Sequence, residues 1–526
     1  MWCKRFFLSD SELLQLFEEL SKTYPYLACE SNAEYGDFQT NQKLASQITE
    51  KLAGEGISPK VVIEPTCGKG HFILAALDTF SDIEKIMGIE IQKKHIWQAK
   101  FNILDFFLNN PDKKRPEVHL VYSSIFDYNY QTIKEAIGEK ELLIIGNPPW
   151  VTNSELSSMD SKNLPKKSNF KQYNGLDAMT GKGNFDIAEY ITVDLLRNFG
   201  HYNGNMAFLV KNTVIKNVVY DIPKLKLPIA NLKKHNIDAK KEFDVSVDAA
   251  LFTCKLNQNP EYFCQESDFY TSEIKCDFGW KNNKFMSVLS ADNDIDGISP
   301  FEWRQGIKHD CSKVMELEYD GSSFSNKLGE HFFLEDDLVY PLLKSSDLKT
   351  IIANPTRKMT IVTQKFVGQN TSYIKEYPQT FEYLNEHIDL FQRRKSSIYR
   401  GKCNFSIFGV GDYSFKPYKV AISGLYKTFH FCLVKPQNNK SVMLDDTCYF
   451  IGFDTLEQAE YIWSLLNTDI VEKLLKSICF GDAKRMITKD ILMRIDLKKV
   501  AQMIDYKPYF LEDKRKQEKL QLSLFD

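Results

Sequence analysis

The chain has 526 residues, 43% of them hydrophobic and 26% charged, with a formal net charge of −3. That length exceeds one hydrophobic core, and the composition is that of a globular protein, which excludes disordered and fibrous classes. No apolar run approaches the roughly 18 residues of a membrane span, and any nucleic-acid contact must come from a local basic face rather than from total charge.

At the N-terminus, MWCKRFFLSDSELLQLFEEL carries acids within its apolar stretch, so it predicts a capped amphipathic helix at about 9–20 rather than a signal peptide. The 11 cysteines run from Cys3 to Cys479 without a CxxC pair. This predicts reduced thiols in a cytoplasm, no disulfide framework and no metal site.

Between about residues 60 and 255, short β-branched runs alternate with helical patterns. VVIE (61–64), IMGIEI (86–91), VHLVY (118–122), ELLIIG (141–146), MAFLV (206–210) and AALFTCKL (249–256) predict strands. HFILAALDTF and DIAEYITVDLLRNF carry the helical period. The alternation implies an α/β fold with a doubly wound sheet, whose ligands sit beyond the carboxyl ends of the strands. After about residue 265 the rhythm is lost, and ADNDIDGISP (291–300) is the best linker or boundary candidate.

Two stretches point to a nucleotide-like ligand. VVIEPTCGKGHFILAAL (61–77) is a strand, a turn holding Gly68 and Gly70, and a helix; the glycines let backbone approach a ligand closely. Glu90 follows Gly68 by 22 residues at the end of the next strand, where an acid accepts from ribose hydroxyls. Nicotinamide dinucleotides and S-adenosylmethionine both satisfy this pattern, and a GxG corner alone also occurs without any ligand.

The stretch ELLIIGNPPW then separates them, because a strand runs directly into Asn147-Pro148-Pro149-Trp150. Two prolines fix φ and remove two donors, and Asn147 before proline is extended. The turn presents an amide oxygen, accepting carbonyls and an aromatic face. An exocyclic amino group is a poor nucleophile, since its lone pair is delocalised into the ring. Two acceptors holding its hydrogens draw the nitrogen toward tetrahedral geometry and offset the positive charge that develops on it. Trp150 offers a stacking face for a base that has left the duplex.

On these motifs, in this order, the chain resembles the gamma-class adenine-N6 amino-methyltransferases of type II restriction-modification systems, well over residues 30–256 and more loosely beyond. The resemblance implies a Rossmann-like S-adenosylmethionine-dependent catalytic domain over 1–265. A mixed α/β target-recognition domain would occupy 285–526. It implies that Thr40, in YGDFQTN, together with Glu64, Thr66, Gly68 and Gly70, meets the methionine end of S-adenosyl-L-methionine. Glu90 would accept from ribose and Ile91 would pack on adenine. Ser124 stands where such proteins usually carry an acid, with Asp127 three residues on as a substitute. Phe243, in KKEFDVSVDAALF, would sandwich the target base opposite Trp150, and Phe185 would lie near the cofactor adenine.

The stretch 391–430 holds eight Lys/Arg against one acid, with nine Phe/Tyr interleaved. It predicts phosphate contacts from Arg393, Arg394, Lys395, Arg400 and Lys402, with Lys416, Lys419 and Lys427 in the same run; a solvated basic face over a β-core is the plain alternative. Lys308, His309, Lys313, Lys484 and Arg485 are further candidates, and the polar stretch 161–183 predicts a mobile loop. The implied partners are double-stranded DNA and a separate cognate restriction endonuclease, with no membrane. About 35 residues precede the cofactor region, too few for a nuclease domain. Methyltransferases acting on protein glutamine or ribosomal RNA share the Asn-Pro-Pro-aromatic turn but usually lack a C-terminal region of about 250 residues. Cytosine amino-methylation uses nearly the same chemistry, and the resemblance implies adenine from Asn rather than Ser at position 147. A catalytically silent DNA-binding subunit would be expected to have lost it.

Overall fold

The computed structural model describes residues 39–152, 185–245, 247–290, 294–426, 428–481 and 485–505. The N-terminal helix expected at 9–20, the loop expected at 161–183, the charged tail, Lys427 and Lys484 lie outside the described residues. The chain divides into two compact units, Met1–Ser290 and Ala291–Asp526.

In the first unit the β-branched runs become β1 (Val61–Glu64), β2 (Lys85–Glu90), β3 (Glu117–Tyr122), β4 (Leu142–Gly146) and β5 (Gly204–Lys211). They are followed by β6 (Ile229–Ile237), β7 (Ala249–Leu256), β8 (Phe263–Asp268), β9 (Ile274–Lys281) and β10 (Lys284–Met286). Helices α1 (Gln42–Gly54), α2 (His71–Thr79), α3 (Lys93–Asn109), α4 (Gln131–Ile137), α5 (Ile187–Phe199), α6 (Asn212–Leu225) and α7 (Ala239–Phe243) connect or flank them. The sheet runs β10-β9-β8-β6-β7-β5-β4-β1-β2-β3. β3, β2, β1, β4 and β5 are parallel neighbours, and β7 joins antiparallel between β5 and β6.

Strands β1 and β4 are buried at every residue, as central parallel strands with both faces covered must be. Their adjacency places the switch in winding direction between them, since β1 leads outward to β2 and β3 while β4 leads the other way to β5. A ligand crevice opens beyond the carboxyl ends of strands at such a switch, here at Glu64 and at the residues following Gly146.

The sequence pattern does not reveal β6, which reads IANLKKHNI. Its lysines are paired, Lys233 with Glu55 at 2.8 Å and Lys234 with Glu266 at 3.1 Å, and a bulge between Ala230 and Lys233 breaks the alternation. The first unit also extends past the limit at residue 265 expected for the first domain. β8 to β10 carry polar and exposed positions, and ladder hydrogen bonds rather than apolar periodicity attach them to the sheet. The division between the units falls at the start of ADNDIDGISP, and its second half is folded rather than a linker. Asp296 pairs with Arg494 at 2.6 Å and bridges Ile495 through backbone, while Ser299 is fully buried, so these residues belong to the fold of the second unit.

That second unit is mixed α/β. Its strands are β11 (Arg304–Gln305), β12 (Glu316–Tyr319), β13 (Phe324–Asn326), β14 (His331–Phe332), β15 (Val339–Leu343), β16 (Lys358–Ile361), β17 (Tyr418–Ser423), β18 (Cys432–Val434), β19 (Met443–Leu444) and β20 (Cys448–Phe453). They form a six-stranded sheet, β14-β13-β12-β16-β15-β19, and a four-stranded sheet, β11-β20-β17-β18. Helices α8 (Pro378–Glu386), α9 (Leu456–Leu466), α10 (Asp469–Ile478) and α11 (Leu497–Met503) are the longest in this unit. None of the described helices is long and apolar enough to cross a membrane.

Candidate active site

A cavity of about 870 Å³, including its mouth, lies beyond the ends of β1, β2 and β4. Thr40, Glu64, Thr66, Glu90, Ile91, Asn147 and Pro149 line it, so the structure gathers residues from four separate motifs. The turn after β1 explains how. Gly68 has φ +49°, and a Cβ there would lie 2.5 Å from the Gln39 amide oxygen. Gly70 has φ +80° and begins α2. Glycine alone satisfies both the left-handed backbone and the close approach.

Glu90 fixes this turn from the next strand. One carboxylate oxygen accepts from the Gly68 amide at 2.9 Å and the other from the Gln92 amide at 2.7 Å. Across the crevice, the Thr66 hydroxyl donates to the Asn147 carbonyl at 3.4 Å, tying the first turn to the Asn-Pro-Pro turn. His71 Nδ1 lies 2.6 Å from the Thr40 carbonyl and holds the segment at 39–41 over the opening.

Glu64 is 3% exposed, and among the described residues its Oε2 has no hydrogen-bond partner. Burial holds its pKa well above the usual carboxylate range, the Ile73 amide offsets part of that, and the Glu90 charge adds to it. The buried Thr40 hydroxyl likewise has no partner among the described residues. Orphaned buried acceptors are costly and rare. Two of them facing one cavity suit a cationic, hydrogen-bond-donating ligand group. Among the described residues no group of three or more His, Cys, Asp or Glu is placed to hold a metal.

Trp150 differs from the expectation. It is 4% exposed, its indole N–H donates to the Leu209 carbonyl at 3.2 Å, and its ring meets Phe243 edge-to-face at 5.0 Å. The expected partners are therefore together, but the slot between them is closed. A base held between two rings needs them roughly 7 Å apart, twice the contact distance of carbon atoms. Pro149, not Trp150, lines the cavity.

Ser124 also sits apart, since Ser123, Ile125 and Phe126 line the cavity. The Ser124 hydroxyl accepts from the Phe126 amide at 3.3 Å, shaping the turn after β3. Asp127 is exposed. Phe185 stacks on Tyr190, with centroids 6.0 Å apart, while Ile187 and Ile191 on the first turns of α5 face the cavity. Gln39, His71, Ser123, Phe126 and these two isoleucines were not predicted. The helical period of DIAEYITVDLL marked the isoleucines as a buried face, which core packing explains equally well.

In the second unit the five predicted cations divide. Arg393, Lys395, Arg400 and Lys402 are exposed, and their side chains make no ion pair or hydrogen bond among the described residues. Arg394 instead braces the fold. Its guanidinium donates to the carbonyls of Phe391, His309, Ser406 and Asn404 at 3.0, 3.2, 2.8 and 2.6 Å, and lies 3.7 Å from the Tyr399 ring centre. Lys416 pairs with Asp454, and Lys419 is fully buried. Arg393 and Lys395 line a cleft of about 1330 Å³ with Lys308, Asp310 and Asp446. His309 lines it too but is buried, and burial pulls its pKa down to about 4. Arg485 pairs with Asp446 at 3.1 Å, and Lys313 is exposed.

No protein-family model matches the chain. Among proteins of known function, it is 41% identical over 479 residues to the type II methyltransferase M.NspV of Nostoc sp., covering 90% of this chain and 98% of that one. Among solved structures, it resembles the type IIL restriction-modification enzyme MmeI, solved in complex with DNA, with a TM-score of 0.50 and 13% identity over 96% of this chain and 74% of that one. A type I restriction-modification methyltransferase subunit from Streptococcus thermophilus aligns over 54% of this chain and 61% of its own, with a TM-score of 0.31 and 14% identity. Identity of this level across nearly the whole of both chains shows that the protein belongs to the type II methyltransferases.

Proposed function

We propose that this chain transfers a methyl group from S-adenosyl-L-methionine to the exocyclic amino group of an adenine within a specific sequence of double-stranded DNA. The observation that carries this reading is the shared crevice: Asn147 and Pro149 line the same cavity as Glu64 and Glu90. The residues fit the donor. Glu64 and Thr40 offer buried acceptors to its ammonium group, Glu90 stands at the ribose position, and Ile91 offers an apolar face to its adenine. S-adenosylmethionine would supply an electrophilic sulfonium methyl and depart as S-adenosylhomocysteine when its C–S bond breaks, and the methylated nitrogen would release one proton to water.

The chain's own residues supply the rest. The Asn147 side-chain oxygen and the Pro148 carbonyl accept the two amine hydrogens and direct the nitrogen lone pair at the methyl. This is preorganised electrostatic catalysis without a covalent intermediate. Admitting the base requires the Phe243 ring to part from Trp150. Phe243 ends the five-residue helix α7, directly before Asp244 in the left-handed conformation. Arg393, Lys395, Arg400 and Lys402 supply phosphate contacts from the second unit. The chain would act in the cytoplasm beside a separate endonuclease of the same specificity.

The test is direct. The purified chain, labelled S-adenosylmethionine and duplex DNA are combined, and the modified nucleoside is identified. N6-methyladenine at one short sequence is expected. N4-methylcytosine would overturn the choice of base and leave the amine chemistry standing, and absence of transfer to DNA would overturn the function.

A further inference from the structure

In the second unit, the loop following β16 carries two apolar side chains at its tip. Phe366 is 57% exposed and Val367 49%. Single exposed apolar residues are ordinary. Two adjacent ones on a tip that the fold holds still are less so. The buried Gln364 closes the base of this loop: its amide nitrogen donates to the Gln369 carbonyl, and its oxygen accepts from the Ile407 amide at 2.7 Å. Gln369 completes the latch by accepting from the Lys365 amide at 2.5 Å. Thr363 donates to the Phe405 carbonyl at 2.6 Å. The segment that anchors the loop is the one Arg394 braces through Asn404 and Ser406, and exposed Lys402 lies two residues before it.

We propose that Phe366 and Val367 form an apolar wedge that packs against the bases of the target DNA. This rests on the reading of the chain as a DNA methyltransferase. Charge complementarity selects the occupant: the tip is flanked by exposed Lys365 and scaffolded to the segment carrying Lys402. Apolar wedges on DNA-binding proteins press between base steps and unstack them, and a latched loop loses little conformational freedom on doing so. A two-residue tip is far smaller than the roughly 1,000 Å² that a stable protein interface requires.

DNA affinity is measured by fluorescence anisotropy across a salt series for the wild-type chain, Phe366→Ala and Phe366→Trp. S-adenosylmethionine binding serves as the folding control. Phe366→Ala is expected to lose about 5- to 150-fold in affinity, the range for a base-stacking aromatic, with an unchanged salt slope, since no phosphate contact is removed. Phe366→Trp is expected to retain affinity. A Phe366→Ala variant that binds like wild type, or that alters only self-association in sedimentation, overturns the wedge while wild-type methylation of DNA stands. A wild-type chain that neither binds nor methylates duplex DNA overturns the wedge and the proposed function together.

Discussion

Replacing Glu64 with glutamine separates cofactor binding from stability. The side chain is 3% exposed, burial raises its pKa, and one oxygen lacks a partner among the described residues. Gln keeps the shape and removes the charge. If Glu64 receives the ammonium group of S-adenosylmethionine, the variant loses a charge-assisted hydrogen bond of about 1.5–3 kcal/mol, or about 10- to 150-fold in affinity.

The pH dependence follows from the sign of the shift. The ligand selects the ionised carboxylate, so wild-type binding takes up no proton and releases one below the raised pKa. Affinity therefore climbs with pH up to that value and then levels, whereas Glu64→Gln is flat. Without ligand the effect on stability is opposite. A carboxyl that holds its proton more tightly when folded loses stability as pH rises from the ordinary 4.5 through the raised value. Glu64→Gln removes that loss and should melt at or above the wild-type temperature near pH 8. Calorimetric titration in buffers of differing ionisation enthalpy, with thermal melts alongside, measures both. An unchanged Kd with an unchanged pH profile would refute this role for Glu64.

Further outcomes test the other parts of the structure. Asn147→Ala should leave S-adenosylmethionine affinity largely intact and lower kcat by roughly 100- to 1,000-fold, the range for a lost transition-state hydrogen bond; comparable loss of cofactor affinity would show that Asn147 acts elsewhere. Arg393→Gln should reduce the salt slope of DNA binding by about one and leave the melting temperature unchanged. Arg394→Gln should instead lower the melting temperature, because it abandons four carbonyls; the reverse pattern would exchange their roles. Lys419 is fully buried with one acceptor, the Lys416 carbonyl, and burial pulls its pKa from 10.5 to about 7. The unfolded chain binds that proton more tightly between those values, so the penalty is full below pH 7 and fades toward pH 10.5. Lys419→Met should raise the melting temperature at pH 7, with a gain that shrinks by pH 10; a pH-independent change would refute it.

The sequence alone determined the parallel strands and the corner motifs. β4 throughout, and β1 up to its terminal Glu64, are apolar because both faces are covered, and Gly68, Gly70, Pro148 and Pro149 have backbone restrictions that are properties of the residues themselves. Local chemistry of this kind is written in consecutive positions. β6 escaped notice because Lys233 and Lys234 look solvent-exposed until Glu55 and Glu266, remote in the chain, are placed opposite them. Composition made Arg393 and Arg394 equivalent, yet only the fold shows that one points outward while the other meets four carbonyls from three segments. The closed Trp150–Phe243 pair and the latched Phe366 tip likewise depend on partners brought together by tertiary packing. Side-chain environment is set by long-range neighbours, and a linear pattern specifies which residues are present without fixing what they face.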